Sequence, residues 1–198
     1  MIRQRREERL KTFERQQRQW LLTRLGMVAF ALLVVGAIAY GGFTYVQDQR
    51  TRQAPAGVQS FPDQSRDHVE GTVAYARTPP VGGDHSPIWQ NCGFYAAPVQ
   101  NENAVHSLEH GAVWVTYRPD LPGDQVDTLR LLAEEQTFVL VSPFPGLPAP
   151  VVASAWGVQL SLDSAGDTEL DQFVRAFRQG PQTPEPGASC SGGTSTAM

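Results

Sequence analysis

Four histidines carry most of the chemistry open to this chain: His68, His85, His106 and His110, all within 43 residues. The tightest group is AVHSLEHGAVWV, where His106 and His110 stand four apart with Glu109 between them and Gly111 directly after. On a helical turn, positions i and i+4 share a face, so both imidazoles can meet one ion. Gly111 then ends the turn and lets the chain enter a β-prone run. The spacing is that of the H-E-x-x-H motif, but no Glu follows the first histidine, so the general-base geometry of those metalloproteases is not implied. His85 lies in PPVGGDHSPIW, where Gly82 and Gly83 allow a tight turn and Asp84 could orient an imidazole. A loop folding His85 over the 106–110 turn supplies a third ligand. The expected metal ligands are therefore His85, His106, His110 and Glu109, with Asp84 and His68 as orienting or fourth-ligand candidates.

Three imidazoles suit zinc, copper, iron or nickel. Zinc or cupric copper is the expected ion, because Met1, Met27 and Met198 form no methionine tract for cuprous copper. The spacing equally allows histidines that only brace the loop by hydrogen bonding. Nucleophile chemistry is weaker. Ser107 neighbours His106 in sequence, which seldom makes them face each other, and no G-x-S-x-G elbow exists. Cys92 shares the His85 loop and could be a soft ligand or a nucleophile. Cys190 is the only other cysteine, and its pairing with Cys92 across a Gly/Ser-rich tail stays open.

These residues need elements to position them. Residues 68–76 have a strand-like core, and a long irregular stretch runs from Arg77 to about Asn103 with Trp89, Phe94 and Tyr95 in it. Stretches of that length without regular structure are usually functional. Residues 112–117 (AVWVTY) are strongly β-prone. Residues 122–136 read as a helix opened by Pro122 and Asp124, with Val126, Leu129, Leu132 and Ala133 on its apolar face. Residues 138–141 form a short strand, residues 151–162 hold another strand-like segment, and residues 167–177 form a second helix lined by Leu170, Phe173, Val174 and Phe177. That order predicts an α+β fold, a mostly antiparallel sheet covered by two helices.

Outside this region the charge is uneven. The 198 residues carry 16 basic and 20 acidic side chains, a net −4. Up to Arg24 there are eight basic and three acidic residues, net +5, whereas the rest of the chain is net −9. The acidic main part argues against nucleic-acid binding. Residues 25–46 (LGMVAFALLVVGAIAYGGFTYV) contain no charge. As one helix they would be about 33 Å long, enough for a hydrocarbon core of about 30 Å. The expectation is a single-pass transmembrane helix, N-terminus cytoplasmic by the positive-inside rule, in a bacterial cytoplasmic membrane with an extracytoplasmic C-terminal domain. The expected layout is a basic helical segment at 1–24, the span at 25–46, a linker at 47–63, the domain at 64–179 and a disordered tail at 180–198.

The segments HVEGTVAY, TPPVGGDHSPIWQNCGFY and AVHSLEHGAVWVTYRP resemble DUF3105, a bacterial family of membrane-anchored proteins, over most of residues 66–178. Gly83, His85 and Trp89 match its G-x-H-x-x-x-W element, and His106 to Gly111 match its H-S-L-E-H-G element in full. The resemblance implies a shared fold, membrane anchoring and a histidine motif common to the family; it brings no activity. The function expected is thus a membrane-anchored, extracytoplasmic metal-binding module. The alternatives are a metal-dependent hydrolase or oxidoreductase of the envelope, and a non-catalytic module docking a membrane-protein partner.

Overall fold

The computed structural model describes residues 20, 24, 26, 27, 30–44 and 53–198. The chain divides into two compact units, Met1–Arg50 and Thr51–Met198. In the first, the uninterrupted described helix covers residues 30–44 (α1), and all its side chains are exposed. Among the described residues, no helix is long and apolar enough to cross a membrane. This overturns the spanning helix expected over residues 25–46. The single-pass topology, the cytoplasmic-membrane and membrane-protein partners, the membrane anchoring and the inside–outside localisation all rested on it and go with it. An uncharged run reports composition, and composition alone does not set the length of a helix. The expected basic segment at 1–24 lies outside the described residues except for Trp20 and Arg24.

The second unit is built on a six-stranded sheet in the order β1-β6-β5-β3-β4-β2. The strands are β1 (Gln59–Ser60), β2 (Gly93–Phe94), β3 (Val113–Tyr117), β4 (Val139–Pro143), β5 (Val151–Ala155) and β6 (Val158–Leu162). Helices α2 (Asn101–Glu109), α3 (Gly123–Glu135) and α4 (Thr168–Phe177) accompany it. The sheet is mixed rather than mostly antiparallel. β4 pairs parallel with both β3 and β2, while β3–β5, β5–β6 and β6–β1 are antiparallel. The reason is local: α3 carries the chain from the end of β3 back to its start, and such a crossover makes the next strand parallel.

β3 is buried on both faces, which suits its valines and tryptophan. Its alternation splits the interior in two. Val113, Val115 and Tyr117 share one core with Leu129 of α3 and Phe173 and Val174 of α4. Trp114 and Leu140 share the other with Ala104, Val105 and Leu108 of α2. Each fully buried Leu or Phe stabilises the fold by about 1.5–3 kcal/mol. The polar atoms that enter these cores are paired: Trp114 Nε1 donates to Ser142 Oγ at 3.0 Å, and Thr116 Oγ1 donates to the Val152 carbonyl at 3.0 Å. α4 keeps its apolar spacing on one side, with Glu169 and Asp171 in the first turn and Arg175 in the last, the order the helix dipole favours.

The folded unit is wider than residues 64–179. At its start, β1 pairs with β6 and the Phe61 amide donates to the Gly157 carbonyl. At its end, residues 180–198 form a strap on the domain instead of a disordered tail. Cys190 is joined to Cys92, with Cα atoms 5.4 Å apart. Asn91 donates to the Thr194 carbonyl, Thr194 to the Trp89 carbonyl and Met198 to the Pro98 carbonyl. Gly193 lies so close to Trp89 that a Cβ there would strike its carbonyl and ring. Residues 68–76 form no strand; His68 makes only an isolated bridge to His85.

Candidate metal centre

α2 explains why three of the site residues lie indoors. Seven of its nine residues are buried, among them Asn103, His106, Ser107 and Glu109. A helix with so many buried polar groups cannot rest on an oily surface alone, so each group needs a partner. Ser107 Oγ donates to the carbonyls of Gln90 and Asn103, and Asn103 Nδ2 donates to the Ile88 carbonyl at 2.6 Å. These bonds hold the 86–90 loop against the helix. Gly111 terminates the turn with φ +94°, its amide bonded to the Leu108 carbonyl.

The histidine rings form one cluster. His68 and His106 stack at 4.8 Å between centroids, His85 stands edge-on to both at 4.9 and 5.0 Å, and His110 is 4.5 Å from His106. Trp89 packs beside His106 and His110, and Trp156 stands edge-on to His85. The approach of the 68–85 segment is held by its own bonds: the Val73 amide donates to Glu102 Oε1 at 2.9 Å, and the Tyr75 hydroxyl donates to the Asp84 carbonyl at 2.8 Å. Burial, then the charges of Glu102 and Asp84, push the Tyr75 hydroxyl pKa well above its ordinary value, so it stays a donor.

The tautomers follow from the backbone. His85 Nδ1 lies 2.8 Å from the Gly83 carbonyl, His106 Nδ1 2.6 Å from the Ser86 carbonyl and His110 Nδ1 2.6 Å from the Ser189 carbonyl. A carbonyl only accepts, so all three Nδ1 atoms carry the proton and donate it. All three Nε2 atoms therefore hold lone pairs when the rings are neutral. Yet His85 Nε2 sits 2.9 Å from Glu109 Oε2, and His106 Nε2 sits 2.9 Å from His110 Nε2. Both are contacts between acceptors. Each requires a proton or a metal ion between or beside its atoms. Burial first, and then the neighbouring His110, His85 and His68, lower the His106 pKa to about 4 against the opposing pull of the Ser86 carbonyl. That ring resists taking the proton.

One ligand atom each from His68, His85, His106 and Glu109 lies within 4.8 Å of the others, a His3Glu cluster capable of coordinating a divalent metal. Two ligands on opposite sides of one ion with bonds near 2.1 Å are about 4.2 Å apart, so the set needs only small contraction. The side chains of His85 and Glu109 are 0% and 3% exposed, whereas His68 is 46% exposed and forms the solvent side, its Nε2 3.7 Å from Glu109 Oε2. Of the residues expected at the site, His85, His106 and Glu109 come together there. His110 is outside the four mutually close donors and borders them through His106. Asp84 contributes its carbonyl to Tyr75 and is not one of the four donors. Cys92 is spent in the disulfide, which removes it as a soft ligand or nucleophile. Trp89 walls the histidines, while Phe94 and Tyr95 pack with the two cores. Sequence reasoning missed the strap, which adds the Ser189 carbonyl and also Glu185, whose amide donates to the Glu109 carbonyl and whose Oε2 lies 3.5 Å from His110 Nε2. Cys190, one residue from Ser189, was the available signal.

The model of the family described as protein of unknown function (DUF3105) matches residues 68–192, and the chain belongs to that family. The match covers all four histidines and both cysteines. No curated protein and no solved structure matches the chain.

Proposed function

We propose that this domain binds one divalent transition ion, zinc or cupric copper. The ligands are one ring nitrogen each of His68, His85 and His106 and the carboxylate of Glu109, with His68 on the exposed side and His110 beside His106. The observation that carries this reading is the pair of acceptor contacts, His85 to Glu109 and His106 to His110, each at 2.9 Å. A divalent ion among the four mutually close donors supplies the positive charge that the His85–Glu109 contact needs and takes up the His106 lone pair. Two ligands about 90° apart on bonds near 2.05 Å stand about 2.9 Å from each other, so the His85–Glu109 spacing fits neighbouring ligands on one ion. The Nδ1 bonds of His85 and His106 to carbonyls are the outer bonds that commonly orient metal-binding imidazoles. An all-imidazole and carboxylate set suits zinc or cupric copper and offers no thiolate or thioether to cuprous copper.

The test is elemental analysis and competitive titration of the untagged full chain with zinc and copper at neutral pH. One ion per chain, bound tighter than about 10 μM, is expected. His106→Ala or His85→Ala should remove most of that affinity, and His68→Ala less. A wild-type chain that binds neither ion at this level returns the cluster to a proton-sharing role.

A further inference from the structure

His68 differs from the other members of the donor set. His85 and His106 each give the Nδ1 proton to a carbonyl, at 2.8 and 2.6 Å, and Glu109 is buried on α2. Among the described residues, no hydrogen bond holds either ring nitrogen of His68, and Nε2 only approaches Glu109 Oε2 at 3.7 Å. The ring rests on His106, stacked at 4.8 Å between centroids, and its side chain is 46% exposed. The backbone beneath it is pinned. The Val69 amide donates to the His85 carbonyl at 2.8 Å, and the His85 amide donates to the Asp67 carbonyl at 3.0 Å. The side chain can therefore turn outward about its own bonds while the main chain stays on the domain. Three donors are held in place, and the fourth is loose and faces solvent. His85, His106 and Glu109 are buried, which leaves the His68 side as the approach to the centre.

We propose that His68 is the exchangeable ligand of this centre, and that the ion enters and leaves at its position by ligand exchange with an imidazole from outside the domain. This rests on the metal reading above. The incoming ring nitrogen gives its lone pair to the ion, the bond from His68 breaks, and His68 keeps its own lone pair and turns outward. One neutral nitrogen replaces another, so neither a proton nor an electron changes hands. Zinc accepts a fifth ligand in passing, so the outside donor can bind before His68 leaves. An imidazole is the class of donor that fits, because a flat ring at this position keeps the stack on His106. Departure of His68 leaves the carbonyl bonds of His85 and His106 untouched, so the rest of the donor set stays oriented during the exchange.

The experiment loads the full chain, carrying isotope-labelled histidine, with one equivalent of zinc and adds imidazole in the millimolar range. Ring-nitrogen spectra should show His68 passing from the bound to the free position while His85 and His106 stay bound and the zinc stays on the chain. Zinc removal by an excess of a coloured chelator gives the rate. Imidazole should speed removal from wild type at least about tenfold. In His68→Ala, checked for folding by circular dichroism, the position is already open, so release should be fast from the start and gain less than about twofold from imidazole. A histidine-bearing peptide in place of imidazole identifies the source of the donor. Acceleration by both assigns the position to a side chain of another protein, and acceleration by imidazole alone assigns it to small donors. If the chain takes cupric copper alone, removal rates with copper give the same comparison. A His68 ring that stays bound at every imidazole concentration, release of His85 or His106 first, or equal acceleration of wild type and His68→Ala overturns the exchange role while leaving the metal reading intact. A wild-type chain that binds neither zinc nor cupric copper overturns both.

Discussion

His85 and Glu109, 24 residues apart in sequence, meet 2.9 Å apart in the interior with no proton assigned to either facing atom by the surrounding bonds. The Gly83 carbonyl holds the proton of His85 on Nδ1, and a carboxylate has none to give. Much of the behaviour of the domain follows from how that contact is settled.

Glu109→Gln replaces a charged acceptor with an amide of the same shape, whose N–H can donate to His85 Nε2. Metal affinity should fall at least about 100-fold. In chelator at about pH 8, the same variant should be as stable as wild type, or more stable by about 1 kcal/mol, because the acceptor clash is gone. Urea midpoints and zinc titration test the two halves. A variant that is less stable in chelator yet binds zinc normally would contradict the assignment.

The pH dependence follows from His106. Its pKa is about 4 in the folded chain against 6.5 for the free group. As pH falls, the unfolded chain takes the proton first. The contribution is therefore complete above about pH 6.5 and is lost progressively as pH drops toward 4. Between about pH 7.5 and pH 5, metal-free wild type should lose more stability than His106→Gln. Equal losses measured by urea unfolding would assign the effect to another group.

Gly111→Ala tests the junction of α2 and β3. The position has φ +94°, and an added Cβ would sit 3.0 Å from the Thr183 side chain and 3.1 Å from Gln179 Cα. Both the backbone and the space resist the methyl group, and a loss of about 1–3 kcal/mol is expected. A change below about 0.5 kcal/mol in urea would mean that the strap yields at this point.

Local features were legible in the residues. Of the i,i+4 pair, His106 lies on α2 and His110 caps its end, Gly111 follows the cap, and the apolar spacings of α3 and α4 were visible within about a residue of their ends. The parallel pairing of β4 was legible too, though the expectation of a mostly antiparallel sheet passed over it: a strand at 112–117, a helix at 122–136 and a strand at 138–141 already spell a crossover. What resisted reading was non-local. His85 reaches Glu109 by the path of an irregular loop, and no periodicity records such a path. The strap looked disordered because composition registers missing apolar side chains and cannot see backbone bonds to Trp89 and Asn91 or a disulfide across 98 residues. The apolar run near the N-terminus pointed to a membrane span, whereas among the described residues no helix is long and apolar enough to cross a membrane.

The strap also imposes an order on the making of the protein. Translation delivers His68, His85, His106, Glu109 and His110 first, and the Ser189 carbonyl that orients His110 follows 79 residues behind it. A chain still leaving the ribosome thus displays every proposed donor before the part that disciplines them, and an ion arriving then meets a freely turning His110. The orientation of His110 is thus set only in chains made past Ser189.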